Sequence, residues 1–292
     1  MSTGMQNNEK RQIKLYSNTS QVMIDAIDRI VVEIHNKKRT PGEAHKILLT
    51  GCGPQCGNTS ICIGLGISFA SSKWRTLIVD CDLRKQQDFK KLNENTEKGL
   101  SDFLISEQSE DAFDFNEIIY PTNVDNLSYI PCGEYAANPA RLFCSNVMQK
   151  LLMYVNENFD YVVFDFPSID VAPDAQILFG EVDGIVLVSA LESVTKKQIR
   201  EAKRKVVPYA EKYYGMIINK IEMNLYRNYV QRFDYYFFDK NGKGCNAIVG
   251  ISGGKDSLAL LCTLAEMRVF YPKKYTLSAL TVDMGFSVLK FD

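Results

Sequence analysis

Apolar residues fall along this chain in two rhythms. Val22, Ala26, Ile27, Ile30, Val31 and Ile34 recur at helical spacing, which predicts an amphipathic helix over roughly residues 19–36. Pro41-Gly42 ends that pattern. Lys46-Ile47-Leu48-Leu49-Thr50 is a short apolar run and reads as a buried strand, followed by a Gly-rich loop and an apolar helix from about Thr59 to Ser71. The same alternation continues. Strands are expected at Thr76–Asp80, Leu127–Pro131, Tyr161–Asp165, Ile185–Ser189 and Tyr214–Asn219. Helices are expected at about 145–158 and 195–207, with a shorter one starting near Gly99. Continuous apolar strands alternating with helices predict an α/β domain with a mostly parallel sheet covered on both faces. Residues 85–97 are polar and read as loop.

In such sheets ligands bind beyond the carboxyl ends of the strands. Three chemically distinctive segments fall there: the loop after Thr50, Asp80-Cys81-Asp82, and Asp165-Phe166-Pro167. Gly51-Cys52-Gly53-Pro54-Gln55-Cys56-Gly57-Asn58-Thr59-Ser60 has the strand–loop–helix setting of a Walker A phosphate loop. Backbone N–H groups of such a loop, with the helix N-terminus behind them, cradle phosphate. Gly53, Gly57, Asn58, Thr59 and Ser60 are therefore the candidate nucleotide-binding residues, and the Thr59 hydroxyl is placed for Mg²⁺. Asn58 stands where the pattern has lysine. An amide donates hydrogen bonds but brings no charge to the phosphates. Read alone, the loop is also compatible with a plain Gly-rich turn. Asp82 and Asp165 at neighbouring strand ends suit Mg²⁺, held directly or through water.

The 292 residues are 46% hydrophobic and 24% charged, with a formal net charge of -1, so a sizeable core is possible and no global pull on nucleic acid is implied. No apolar run approaches the roughly 18–20 residues that span a bilayer, and the polar start from Met1 to Lys14 lacks a signal-peptide core. The chain reads as cytoplasmic, with its eight cysteines as thiols. Cys52 and Cys56 lack a zinc spacing, and only His35 and His45 are present to complete a site.

Leu77-Ile78-Val79-Asp80-Cys81-Asp82-Leu83-Arg84-Lys85 resembles the Walker A′ motif of bacterial tyrosine kinases from capsule and exopolysaccharide loci. Tyr161-Val162-Val163-Phe164-Asp165-Phe166-Pro167-Ser168 is similar to their Walker B motif. Gly99–Leu104, Asn138–Leu142, Asp174–Leu178 and Val182–Val188 extend the likeness in family order over roughly residues 12–240. The resemblance implies ATP and Mg²⁺ as cofactors. It also implies Asp80 as base or orienter for a tyrosine hydroxyl, Asp82 beside it as a catalytic and metal residue, and Arg84 at the nucleotide. Autophosphorylation would fall on a C-terminal tyrosine cluster, here Tyr226, Tyr229, Tyr235 and Tyr236, in trans within a homo-oligomer. A membrane-bound activator of polysaccharide synthesis would be the partner and would recruit the chain to the inner face of the membrane. Two departures stand out: Asn58, and Asp25, Asp28 and Val31 where the family's first helix carries Glu, Arg and Arg. A noncatalytic nucleotide-binding regulator is the alternative those departures leave open.

Beyond a linker at Asn241–Gly244, Ala247–Ile251 reads as a strand, followed by Ser252-Gly253-Gly254-Lys255-Asp256-Ser257 at a helix start. This hexapeptide resembles the PP-loop of ATP pyrophosphatases of the kind that thiolate cytidine in tRNA, cut short at Asp292. A truncated tRNA-thiolation enzyme fused to a kinase-like domain is the third reading. The expected organisation is an N-terminal segment 1–40, a P-loop domain 41–222, a Tyr-rich tail and linker 223–244, and a PP-loop fragment 245–292.

Overall fold

A computed structural model describes residues 12–17, 20–37, 42–84, 98–105, 114–190 and 193–220, together with two later strands. The chain divides into two compact units, Met1–Lys220 and Ile221–Asp292.

The first unit opens with helix α1 (Gln21–His35) and continues through β1 (His45–Gly51), α2 (Asn58–Ser71), β2 (Thr76–Asp80) and α3 (Leu100–Ile105). Next come β3 (Tyr120–Pro121), β4 (Leu127–Ile130), α4 (Pro139–Phe143), α5 (Asn146–Asn158) and β5 (Tyr161–Asp165). The unit closes with α6 (Ala175–Leu178), β6 (Gly184–Ala190), α7 (Lys196–Val206) and β7 (Tyr213–Asn219). The strands form one seven-stranded sheet in the order β3-β4-β2-β5-β1-β6-β7. Every pairing is parallel except the two-residue edge pair of β3 with β4. A parallel sheet requires crossovers, and the helices between strands supply them while covering both faces.

All positions of β2, β5 and β6 are buried. That is why their sequences are unbroken apolar runs rather than alternating ones. One face of the sheet is packed by α1 and α2 through Ile27, Ile34, Ile61, Leu65 and Phe69; the other is packed by residues such as Phe143, Leu151, Val155, Ala202 and Val206. Helix starts are locally encoded. Ser145 caps α5 by accepting from the Met148 N–H at 3.2 Å, and Thr195 with Gln198 forms a capping box at α7.

The amino ends of the central strands are sealed. Tyr161 stacks on Phe69 with ring centroids 4.0 Å apart, and its hydroxyl meets His35 Nδ1 at 2.7 Å. His45 Nε2 meets the Tyr214 hydroxyl at 2.8 Å. Both histidines of the chain thus serve packing at the end of the sheet away from the carboxyl-end loops.

In the second unit, β8 (Asn246–Gly250) and β9 (Thr276–Leu280) pair in parallel. The first lies where a strand is expected. The PP-loop residues Ser252, Gly253, Gly254, Lys255, Asp256 and Ser257 lie outside the described residues, as do Tyr226, Tyr229, Tyr235 and Tyr236.

Candidate functional site

The three carboxyl-end segments converge. A cleft of about 340 Å³ is lined by Gly53–Thr59, Asp82, and Asp165–Ser168 with Val171. Strand order explains this: β2, β5 and β1 are adjacent, so the chains leaving them emerge side by side.

Hydrogen bonds fix the segments to one another. Thr50 Oγ1 donates to the Pro167 carbonyl at 2.7 Å, and Ser168 Oγ donates to the Gly51 carbonyl at 3.2 Å. The Cys81 N–H donates to the Asp165 carbonyl at 2.9 Å. Each link, two through side-chain hydroxyls and one through backbone, joins one strand end to the next, so the cleft walls do not depend on the ligand to be held together.

The loop after β1 has the conformation a phosphate cradle needs. Gly57, at the N-cap of α2, is left-handed with φ 85°, which a side chain would strain. A Cβ there would also run into Asn219 Nδ2. Asn219, at the end of β7, donates to the Cys56 carbonyl at 2.9 Å. Sequence reasoning gave Asn219 no role, although its place at a strand's carboxyl end was the available signal. Cys52 and Cys56 are buried packing residues of this loop. Burial, then the neighbouring Cys56, pushes the Cys52 thiol up to about 11. Among the described residues no group of three or more His, Cys, Asp and Glu side chains is arranged to hold a metal.

Asn58 takes a defined position. Its Nδ2 donates to the Phe166 carbonyl at 3.0 Å, which ties the loop after β1 to the end of β5. Its Oδ1 is buried without a hydrogen-bond partner, close beside Gly51. The amide at this position therefore works as a strut between two strand ends.

The acidic wall is layered. Asp80 and Asp165 are register partners on β2 and β5, both 3% exposed. Asp80 accepts from the Asp82 N–H at 3.1 Å and from the Tyr129 hydroxyl at 3.2 Å. Burial, reinforced by the charges of Asp80 and Asp165, holds the Tyr129 phenol well above its ordinary value, so it stays a donor. Asp80 thus lies behind the cleft, while Asp82 and Asp165 line it. Tyr129 is a second residue that sequence reasoning passed over.

Two expected nucleotide residues sit elsewhere. The Arg84 guanidinium forms a two-point ion pair with Asp174, at 2.9 and 3.2 Å, and does not line the cleft. Asp174 is buried at the start of α6, and a buried carboxylate needs a counter-charge; sequence spacing did not disclose a partner ninety positions away. Ser60 is exposed and faces the groove between α1 and α2, because one residue further along a helix turns the side chain by about 100°.

With oxygen donors at Thr59, Asp82 and Asp165, and backbone N–H groups at a helix start, the cleft fits a magnesium-bound polyphosphate. What it lacks is a cation within Gly51–Ser60.

No family model matches the chain. It is 30% identical over 200 residues to the tyrosine-protein kinase CpsD of Streptococcus agalactiae, covering 65% of this chain and 84% of that protein. It is 25% identical over 218 residues to the tyrosine-protein kinase wzc of Salmonella typhimurium, covering 75% of this chain and 30% of that protein. Among solved structures, the kinase domain of the Escherichia coli tyrosine kinase ETK superposes with a TM-score of 0.60 at 23% identity, covering 67% of this chain and 74% of that one.

Proposed function

The chain belongs to the family of bacterial tyrosine-protein kinases, and from that premise we propose that its cleft binds MgATP and passes the terminal phosphoryl group to tyrosine, in control of capsule or exopolysaccharide synthesis. The observation that carries this reading is the convergence of the Gly53–Thr59 loop with Asp82 and Asp165 in one cleft.

Phosphoryl transfer asks mainly for positioning and charge stabilisation. The Gly57–Thr59 backbone at the start of α2 receives phosphate oxygens. Thr59, Asp82 and Asp165 hold Mg²⁺ or its waters. When bound, the ion supplies the positive charge that offsets charge developing on the transferring group. Asp80, expected as base or orienter, lies behind the cleft and acts as orienter: it holds the Asp82 backbone through the 3.1 Å bond to its N–H, and Asp82 is the carboxylate that faces an incoming tyrosine hydroxyl. The acceptors are Tyr226, Tyr229, Tyr235 and Tyr236 of a neighbouring copy, and a membrane-bound activator is the partner.

The test is incubation with γ-labelled ATP and Mg²⁺, followed by mapping of phosphotyrosine. Label on the tyrosine cluster that disappears in Asp82→Ala supports the kinase reading. ATP binding by calorimetry without any label leaves the noncatalytic regulator as the function.

A further inference from the structure

Helix α7 carries the densest charge in the described chain. Six of its eleven residues, KKQIREAKRKV, are Lys or Arg, against one Glu. The chain as a whole has a formal net charge of -1, so this helix is a local concentration and not a share of a general excess.

The helix sorts its residues by face. Ala202 and Val206 are buried against the sheet. At about 100° per residue, Lys196, Lys197, Arg200, Lys203 and Arg204 fall within about 120° of arc on the opposite side, and all five are exposed. The two remaining charged residues stand on the flanks. Glu201 reaches Lys197 only at 3.9 Å, and Lys205 turns inward to donate to the Ile169 carbonyl at 2.6 Å. The stripe runs on into Val207, 67% exposed at the helix end and still helical in its backbone.

We propose that this face of α7 binds an anionic phospholipid surface directly. Three observations favour lipid over other polyanions. The stripe is a convex helix face, roughly 16 Å long, which lies flat on a planar surface. An exposed apolar residue in line with the cations is what an interfacial helix inserts. The helix carries no aromatic side chain on which a nucleic-acid base would stack.

The consequence for the cleft is direct. The start of α7 and the residue before its cap abut the Gly53 loop: Val194 Cγ2 and Gln198 Nε2 lie 3.2 and 3.3 Å from where a Cβ on Gly53 would sit, and Gln198 Nε2 donates to Asp170 at 2.9 Å. A membrane under α7 therefore borders the cleft and fixes its orientation.

The experiment is co-sedimentation of the full chain with phosphatidylcholine vesicles, with and without about one-third phosphatidylglycerol, at low and high salt. Expected is salt-sensitive binding to the anionic vesicles only, at about fivefold per cation engaged. The triple variant Arg200→Glu/Lys203→Glu/Arg204→Glu should lose at least about 100-fold. The milder Lys203→Gln/Arg204→Gln should lose about 25-fold, which keeps the test decisive should the triple variant not fold. Equal binding to neutral vesicles, no binding to anionic ones, or unchanged binding by a folded variant overturns the proposal. So does tighter capture by duplex DNA at the same phosphate concentration, which assigns the stripe to nucleic acid. A loss of labelling activity with vesicle binding intact leaves the proposal standing and bears only on the kinase reading.

Discussion

On one wall of the cleft, Asp82 and Asp165 extend from the ends of β2 and β5, backed by Asp80 and the Tyr129 hydroxyl; on the other, Gly53–Thr59 curls round with no charged side chain of its own. The acidic wall retains charged side chains, and the opposite wall retains backbone N–H groups and the neutral Thr59 hydroxyl. That contrast separates two properties usually seen together. The shape of a phosphate loop comes from a left-handed Gly57 and a helix start, while its charge comes from a side chain that can be replaced without losing the shape. Asn58 shows what a replacement can do: it trades a reach toward phosphate for a bond between strand ends.

The sharpest way to break the contrast is to damage the acidic wall. Asp165→Asn keeps the side chain's size and removes its charge. Magnesium-dependent phosphotyrosine formation should fall by about 10²–10³-fold, the usual loss for one transition-state electrostatic partner. ATP bound without metal should change little in a calorimetric titration. Equal loss with and without Mg²⁺ would show that Asp165 acts on the fold and not on the ion.

Restoring charge to the other wall tests the converse. In Asn58→Lys an ammonium replaces the strut, and kcat/KM for labelling should rise about 10–100-fold. Stability should shift by no more than about 1 kcal/mol, since the bond to Phe166 is lost and a buried oxygen without a partner is removed with it. An unchanged rate would mean that a cation already reaches the phosphates from outside Gly51–Ser60.

Shape alone is probed by Gly57→Ala. The left-handed backbone costs a side chain about 1–2 kcal/mol, and the new methyl must displace the Asn219 amide from the Cys56 carbonyl. ATP affinity should fall about tenfold, with a matching drop in thermal midpoint. Normal affinity in this variant would place phosphate recognition elsewhere than the loop.

How far the sequence carried this picture depends on the range of the interaction that decides each feature. The buried strands Thr76–Asp80 and Tyr161–Asp165 were legible to the residue, because an unbroken apolar run ending in aspartate is a local signal. The convergence of the three loops followed from the rule for parallel sheets. The β3 edge was not legible: two residues, one of them proline, gain strand character only from pairing with β4. The four-residue α6 is too short for a period to show. Asn219, Tyr129 and the Arg84–Asp174 pair belong to the same class. Each role is assigned by a neighbour brought close through sheet register, and no spacing along the chain encodes it.

Arg84 permits the finest test of the contrast, because it is the cation that could have served the phosphate wall and is instead bound to Asp174. Burial raises the Asp174 carboxyl above its ordinary 3.8, and Arg84 pulls it partly back. A raised carboxyl binds its proton more tightly folded than unfolded. Stability attributable to Asp174 is therefore lost as pH rises from 3.8 through the folded value, and the penalty is complete above it. Removing the guanidinium in Arg84→Met enlarges that penalty. The loss should be about 1 kcal/mol at neutral pH, well below that of a fully buried pair because solvent screens the partly exposed guanidinium. It should vanish in acid, where Asp174 is protonated in both variants. Denaturant titrations at neutral and acid pH measure this directly. ATP affinity should not move with it. If affinity falls as well, Arg84 leaves Asp174 for the phosphates on binding, and the uncharged wall draws its cation from the structure beside it.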